Sequence, residues 1–300
     1  MVGLGDSYLS TPAILLFADS EAGLAEQARA IHRLEGRIAA SGAIDGAIAA
    51  IEDRCDIGAV VVDASVPGAA LDALLDRLER AACDGRFMSI VAITPDLIDL
   101  AAARCPHPHV AILCGAGEAE SVAALALALA GSARVPQLAE ENGHARLRQL
   151  SEEVGRIART LAALSEGEDS ARLPGLPPLE GEETIPPSAA TIRACIRARR
   201  LRDQYFPADL FADPAWDMLL DLAAARIEGG NVAVSSLCIA AAVPATTGLR
   251  WIKTLTDEGL FVRVADPDDG RRVFIRLSDA AIGGISAYFR ALDRAGLIAV

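Results

Sequence analysis

Three hundred residues, 52% of them apolar and only 4% aromatic, suffice for about two folded domains with helix-rich cores of small side chains, and exclude a globally disordered chain. A formal net charge of −13, from 41 acidic against 28 basic residues, weakens non-specific attraction to nucleic acid by long-range repulsion. The opening MVGLGDSYLS lacks a basic n-region, and the longest apolar run, VAALALALAG from Val122, is far shorter than the roughly 18–20 residues of a membrane span, so a cytoplasmic protein without membrane contact is expected.

From the N-terminus, short apolar runs alternate with amphipathic stretches. AILLFAD (13–19), GRIAA (36–40), IGAVVVD (57–63), SIVAIT (89–94) and HVAILCG (109–115) are predicted strands, and a helical pattern follows each. Continuous apolar strands between helices imply a parallel sheet covered on both faces, with any site at the carboxyl ends of the strands. Those ends carry Asp19, Asp63 and Thr94. Carboxylates there can hold a metal or simply cap the next helix.

From Leu147 the apolar positions Leu147, Leu150, Val154, Ile157, Leu161 and Leu164 are spaced 3, 4, 3, 4, 3, the seam of a coiled coil, flanked by charges such as Arg146, Glu152 and Arg159. The helix either packs on its own domain or forms a dimer seam, and the charged flanks favour the dimer. SEGEDSARLPGLPPLEGEETIPPSAA (165–190) has five prolines, three glycines and six acids and reads as a linker. The expected division is an α/β domain over 1–134, a connecting helix over 135–166, a linker over 167–190 and a DNA-binding domain over 191–300. Acidity is uneven: 9 basic and 18 acidic residues over 1–136, 5 and 10 over 137–190, but 14 and 13 over 191–300. A basic surface on the last part can therefore meet phosphate beyond the reach of the acidic parts, since exposed charges are screened within about 10 Å.

In that last part, Asp213, Pro214 and the pair Gly229–Gly230 mark the ends of a helix whose apolar face is Trp216, Leu219, Leu220, Ala223 and Ile227. Two short helices follow around a turn at Val243–Pro244. Ser235 or Ser236 caps the first; Leu237, Ala240, Ala241, Trp251, Ile252 and Leu255 are expected in the core. Thr246, Thr247, Arg250 and Lys253 are left facing outward, the side chains a major groove and its phosphates need. LFVRVA and RVFIRLS are strands joined by DPDDG, with Arg271 and Arg272 just beyond the turn. Those arginines either reach DNA or pair with Asp266, Asp268 or Asp269. Helices TIRACIRARRLRDQYF and AAIGGISAYFRALDRAG flank the unit; the five arginines of the first either touch phosphate or form a solvated face.

The order helix, turn, helix, strand, charged turn, strand, carried by ATTGLRWIKTLTDEG and GLFVRVADPDDGRRVFIRLSD, resembles the winged helix-turn-helix of MarR-family transcription regulators over Pro214 to Asp279. The resemblance implies binding of double-stranded DNA by a homodimer, through Ser235, Ser236, Thr246, Thr247, Arg250, Lys253, Arg271 and Arg272. Residues 12–132, with DASVPG after the third strand, resemble the receiver domain of response regulators. That resemblance implies a flavodoxin-like fold, Asp63 as phospho-acceptor, Asp19 as a Mg²⁺ ligand and Thr94 as the conserved hydroxyl. The pattern is broken twice. Ala18 replaces the first of the usual acidic pair, and no lysine ends the fifth strand, Lys253 being the only lysine in the chain. Phosphoryl transfer needs those charges, so a degenerate receiver independent of Asp phosphorylation is expected, open to a protein partner or a small ligand.

No enzymatic activity and no cofactor are expected. The six cysteines (Cys55, Cys83, Cys105, Cys114, Cys195, Cys238) form no CxxC and read as buried or incidental thiols, and the four histidines accompany no nucleophile. An alternative function is a protein-interaction adaptor with both domains as docking surfaces. RNA binding of antiterminator type is disfavoured by the wing.

Overall fold

The computed structural model describes residues 13–132, 187–206 and 211–296. The predicted seam (Leu147 to Leu164) and the linker up to Pro186 lie outside the described residues.

The five predicted strands form, as β1 (Ala13–Ala18), β2 (Arg37–Ala43), β3 (Ile57–Ala64), β4 (Met88–Ile93) and β5 (Val110–Cys114). They make one parallel sheet in the order β2-β1-β3-β4-β5. The interior strands β1, β3 and β4 are almost wholly apolar because both faces are covered, Ser89 and Asp63 being the polar exceptions. Leu15, Phe17, Val60, Val62 and Val91 pack under α2 (Ala47–Glu52), α3 (Ala69–Cys83) and α4 (Ile98–Arg104). Ile14, Leu16, Val61 and Ile90 pack under α1 (Glu21–Arg33) and α5 (Glu118–Ser132). Strand order reverses between β1 and β3, which opens a crevice at their carboxyl ends.

In the C-terminal part, α6 (Ala189–Leu201) lies on α7 (Pro214–Glu228). There follow β6 (Val232–Ala233), α8 (Val234–Ala240), α9 (Ala245–Asp257), β7 (Phe261–Ala265), β8 (Val273–Leu277) and α10 (Asp279–Arg294). The predicted signals for α7 act as expected. Asp213 accepts a hydrogen bond from the Trp216 N–H, Pro214 occupies the first turn, and Gly229 at φ 74° closes the helix in the left-handed region. The hairpin pairs Phe261 with Leu277 and Ala265 with Val273, and β6 adds to its other edge through Val232 and Ile275. Two residues are too few for an alternation, so β6 has no sequence signature.

Several packing expectations need correction. Ile227 is 51% exposed and Trp251 37% exposed, each on the flank of its helix's apolar stripe, and Ala240 is only half-buried. Neither Ser235 nor Ser236 caps α8; its N-cap position is Ala233, without a side-chain bond. Arg197 of α6 is exposed, but three other arginines of the helix form neither a phosphate comb nor a solvated face. Arg193 pairs with Asp221 and Glu228, while Arg199 and Arg200 converge on the buried Asp217. They fasten α6 to α7. α8 and α9 approach closely at Gly248: a Cβ there would stand 3.1 Å from Cys238 Sγ and 3.3 Å from its Cα, so a larger residue would require Cys238 to shift by a few tenths of an ångström. Among the described residues no helix is long and apolar enough to cross a membrane.

Candidate nucleic-acid interface

At 3.6 residues per turn, α9 carries Gly248, Ile252 and Leu255 on one side and Thr246, Arg250 and Lys253 on the opposite side, within about 60° of one another. The first set is buried, as the core of a helix-turn-helix requires. The second set is the side a groove would meet. Arg250 is exposed, and Lys253 is ion-paired to Asp257 one turn on. Ser236 is exposed and Thr247 half-buried. In the turn, Arg272 pairs with Asp269 at 3.7 Å, whereas Arg271 donates its backbone N–H to Asp269 Oδ1 and sends its side chain elsewhere. The pairing reading therefore holds for Arg272, while the Arg271 side chain pairs with Asp72 of α3 at 2.8 Å.

Residues 222–281 match the family model described as a winged helix DNA-binding domain. They form a winged helix domain. Solved structures similar to about a third of the chain include S. aureus MepR bound to ethidium bromide (19% identity over 36% of this chain and 74% of that one, TM-score 0.26) and the S. aureus MepR–DNA complex (18%, 36% and 86%, TM-score 0.26). A probable transcriptional regulator from Pseudomonas aeruginosa is 28% identical over 35% of this chain and 82% of its own, with a TM-score of 0.24. No curated protein matched the chain.

Two predicted contacts of the winged helix domain are not free. Thr246 is 2% exposed, and its hydroxyl accepts from the Cys114 N–H at 2.9 Å and donates to the Cys114 carbonyl at 3.2 Å. Ser235 gives its backbone N–H and its hydroxyl to the Asp99 carboxylate at 2.9 and 2.6 Å, so the missing cap of α8 is supplied from α4. The expectation that Thr246 faces outward is right for the winged helix alone, but the α/β domain covers it. Beneath this contact the thiols of Cys114 and Cys238 are buried. Burial, with Cys114 and Asp99 nearby, pushes the Cys238 thiol up to about 12, so it is not a nucleophile at neutral pH. Cys105, Cys114 and Cys238 are buried, Cys195 is half-buried, and Cys55 and Cys83 are exposed.

At the strand ends of the α/β domain, Asp19, Asp63 and Thr94 do converge. Asp19 does not cap α1, whose N-cap is Ser20; its carboxylate reaches across to the β3–α3 loop. There it accepts the backbone N–H groups of Ser65 and Val66 at 2.6 and 2.9 Å and the Ser65 hydroxyl. Thr94 donates to the Ser65 carbonyl at 3.4 Å. Asp63 accepts from Gln27 Nε2 at 2.9 Å, and a Cβ on Gly23 would fall 2.2 Å from its Oδ1. The cavity left beside it, about 140 Å³, is lined by Glu26, Gln27, Asp63, Thr94 and Gly115. Sequence reading missed Gln27. Its signal was a polar residue on the same stripe of α1 as the buried Gly23, Ala30 and Ile31.

Burial raises the Asp63 carboxyl above the usual carboxylate range; Gln27 works against the shift, and Asp19 and Glu26 add to it. A raised folded value means that Asp63 penalises the fold once it is ionised, above that value, and is neutral toward it below the unfolded value near ~4. Asp63→Asn, which keeps the Gln27 bond, is expected to raise the melting temperature by about 2–4 °C at pH 7, the effect of ~1 kcal/mol in a unit of this size. The gain should fade as pH falls toward ~4. Calorimetry across pH checks this, and an equal gain at both ends would contradict the assignment.

Proposed function

We propose that the chain is a cytoplasmic, homodimeric, MarR-like transcription regulator that binds double-stranded DNA through its winged helix domain and carries a degenerate receiver at its N-terminus. The observation that carries this reading is the match at 222–281 together with Arg250, exposed on the outward line of α9. Two-fold pairing would set two reading helices about one turn of DNA apart. Exposed apolar residues beyond the end of α6, namely Tyr205, Phe206 and Phe211 at 73%, 53% and 41%, support a pairing surface at that end.

Independence from Asp phosphorylation is supported by the use made of the pocket. Asp19 is spent on the β3–α3 loop and Asp63 on Gln27, and the chain's single lysine lies on α9. The Asp63→Asn variant is therefore expected to bind duplex as tightly as the wild type. Sedimentation and fluorescence anisotropy with a labelled duplex at two salt concentrations test the whole reading: a dimer whose affinity falls steeply with salt is expected, and a monomer without affinity at low salt would refute it.

The adaptor reading keeps one favourable observation, that Ser235 and Thr246 already hold a protein surface. It predicts tight protein binding with no salt-dependent affinity for duplex, and the same titration separates the two.

A further inference from the structure

Four parts of the winged helix domain reach the α/β domain, and three of them, the first turns of α8 and α9 and the turn of the wing, carry residues assigned to DNA contact. From the first turn of α8, Ser235 bonds to Asp99. From the first turn of α9, Thr246 bonds to the end of β5. From β7, Arg263 donates to the Ala102 carbonyl in the last turn of α4 at 2.8 Å. From the turn of the wing, Arg271 Nη2 meets Asp72 Oδ2 of α3 at 2.8 Å. Leu97, Ile98, Ala101 and Cys114 of the α/β domain belong to one apolar cluster with Cys238, Ala241 and Leu255 of the winged helix domain.

The chemistry of these contacts is one-sided but for the Cys114 N–H, which donates to Thr246 Oγ1. The winged helix domain contributes hydroxyls, a backbone N–H and two guanidinium groups. The α/β domain contributes two carboxylates and carbonyl oxygens. Donors on the reader and anionic or carbonyl acceptors opposite are also what a duplex backbone offers to such a module. Thr246, 2% exposed, cannot touch a duplex while this packing stands.

We propose that the face formed by α3, α4 and the end of β5 is an internal docking surface for the DNA-reading side of the winged helix domain, with Asp72 and Asp99 standing where phosphates would, so that this face and duplex DNA compete for the same residues. The inference rests on the reading of the module as a DNA binder and adds its regulation. The closed form does not bind, so the apparent affinity equals that of the open form reduced by the fraction open. An acidic domain on a DNA-binding chain then has a use: it is the competitor. Arg250 stays exposed in the closed form and is available to make the first encounter.

The test uses the full chain and a fluorescein-labelled, mixed-sequence duplex of about 30 base pairs, longer than two half-sites one turn apart. Asp72→Ala combined with Asp99→Ala removes the competing carboxylates and leaves every proposed DNA contact in place. Affinity by anisotropy is expected to rise about tenfold or more, the size expected when charge-assisted bonds of a closed state are lost. A second measurement needs no variant. The Cys114 N–H is held by Thr246 Oγ1, so deuterium uptake over residues 110–116 should accelerate when the wild type is saturated with duplex. If the folded double variant binds no more tightly, or if uptake over 110–116 stays as slow with duplex bound, docking and DNA binding do not compete and the inference is overturned with the DNA reader intact. If neither protein binds duplex at low salt, the DNA-binding reading fails and takes the inference with it.

Discussion

Replacing Asp217 by alanine is expected to destabilise the fold by about 3 kcal/mol, the lower end of what breaking one partner of a buried ion pair costs. The Asp217 side chain is 5% exposed and accepts from Arg199 Nε at 2.8 Å, with Arg200 Nη2 at 3.2 Å. Alanine would leave Arg199, itself only 20% exposed, with Asp213 at 3.4 Å as its remaining carboxylate. The cost is not larger because Arg200 keeps its bond to the Ala240 carbonyl. For a unit of this size the loss corresponds to a fall in melting temperature of about 6–12 °C. Arg199→Leu in the same background removes the orphaned cation, so the two substitutions together should cost clearly less than their sum. Thermal and denaturant unfolding of the three variants would give these values. A change under about 0.5 kcal/mol for Asp217→Ala, the range of ordinary surface substitutions, would mean that α6 is not fastened to α7 by this carboxylate.

Asp217 also shows what the sequence does and does not disclose. The strands β1, β3, β4 and β5 were legible because burial on both faces demands unbroken apolar runs, and the helices because one-sided burial demands a 3.6-residue period. The buried acid Asp217 of α7 was not singled out by the apolar pattern, and its partners were not legible either, since Arg199 and Arg200 read equally well as solvated or DNA-facing. The strand-end residues Asp19, Asp63 and Thr94 were found by topology alone. Their use was not, because the bonds from Asp19 to Ser65 and Val66 depend on where a loop 46 residues away returns. The contact between Thr246 and Cys114 spans 132 positions, and that between Arg271 and Asp72 spans 199. Asp72 and Asp99 occupy half-buried positions on helices that also carry the half-buried polar residues Asp76, Arg77, Glu79 and Arg104. Nothing in their local pattern distinguishes a docking carboxylate from a solvated one. Local rules thus specify each domain, while the way one domain covers the other appears only in three dimensions.

Arg250→Ala is expected to weaken duplex binding by about tenfold to a hundredfold, because the proposed dimer would lose two guanidinium contacts at once. Among the four cations assigned to the DNA side it gives the cleanest measurement. Lys253 is tied to Asp257, Arg272 to Asp269 and Arg271 to Asp72. Arg250 is exposed at the centre of the outward line of α9. If it meets phosphate, the slope of log affinity against log salt should become shallower by about 2, one ion released for each contact in each protomer. If it reads a base edge instead, the slope should hardly change while discrimination at one position of the site is lost. Arg271→Ala differs in kind, since it removes a wing contact to DNA and also releases Asp72. Its net effect in the wild-type chain should therefore be smaller than that of Arg250→Ala, and it should grow once Asp72 is already alanine. Equal losses for Arg271→Ala in both backgrounds would show that Asp72 and DNA do not share this arginine, and an unchanged affinity and salt slope for Arg250→Ala would remove α9 from the DNA interface.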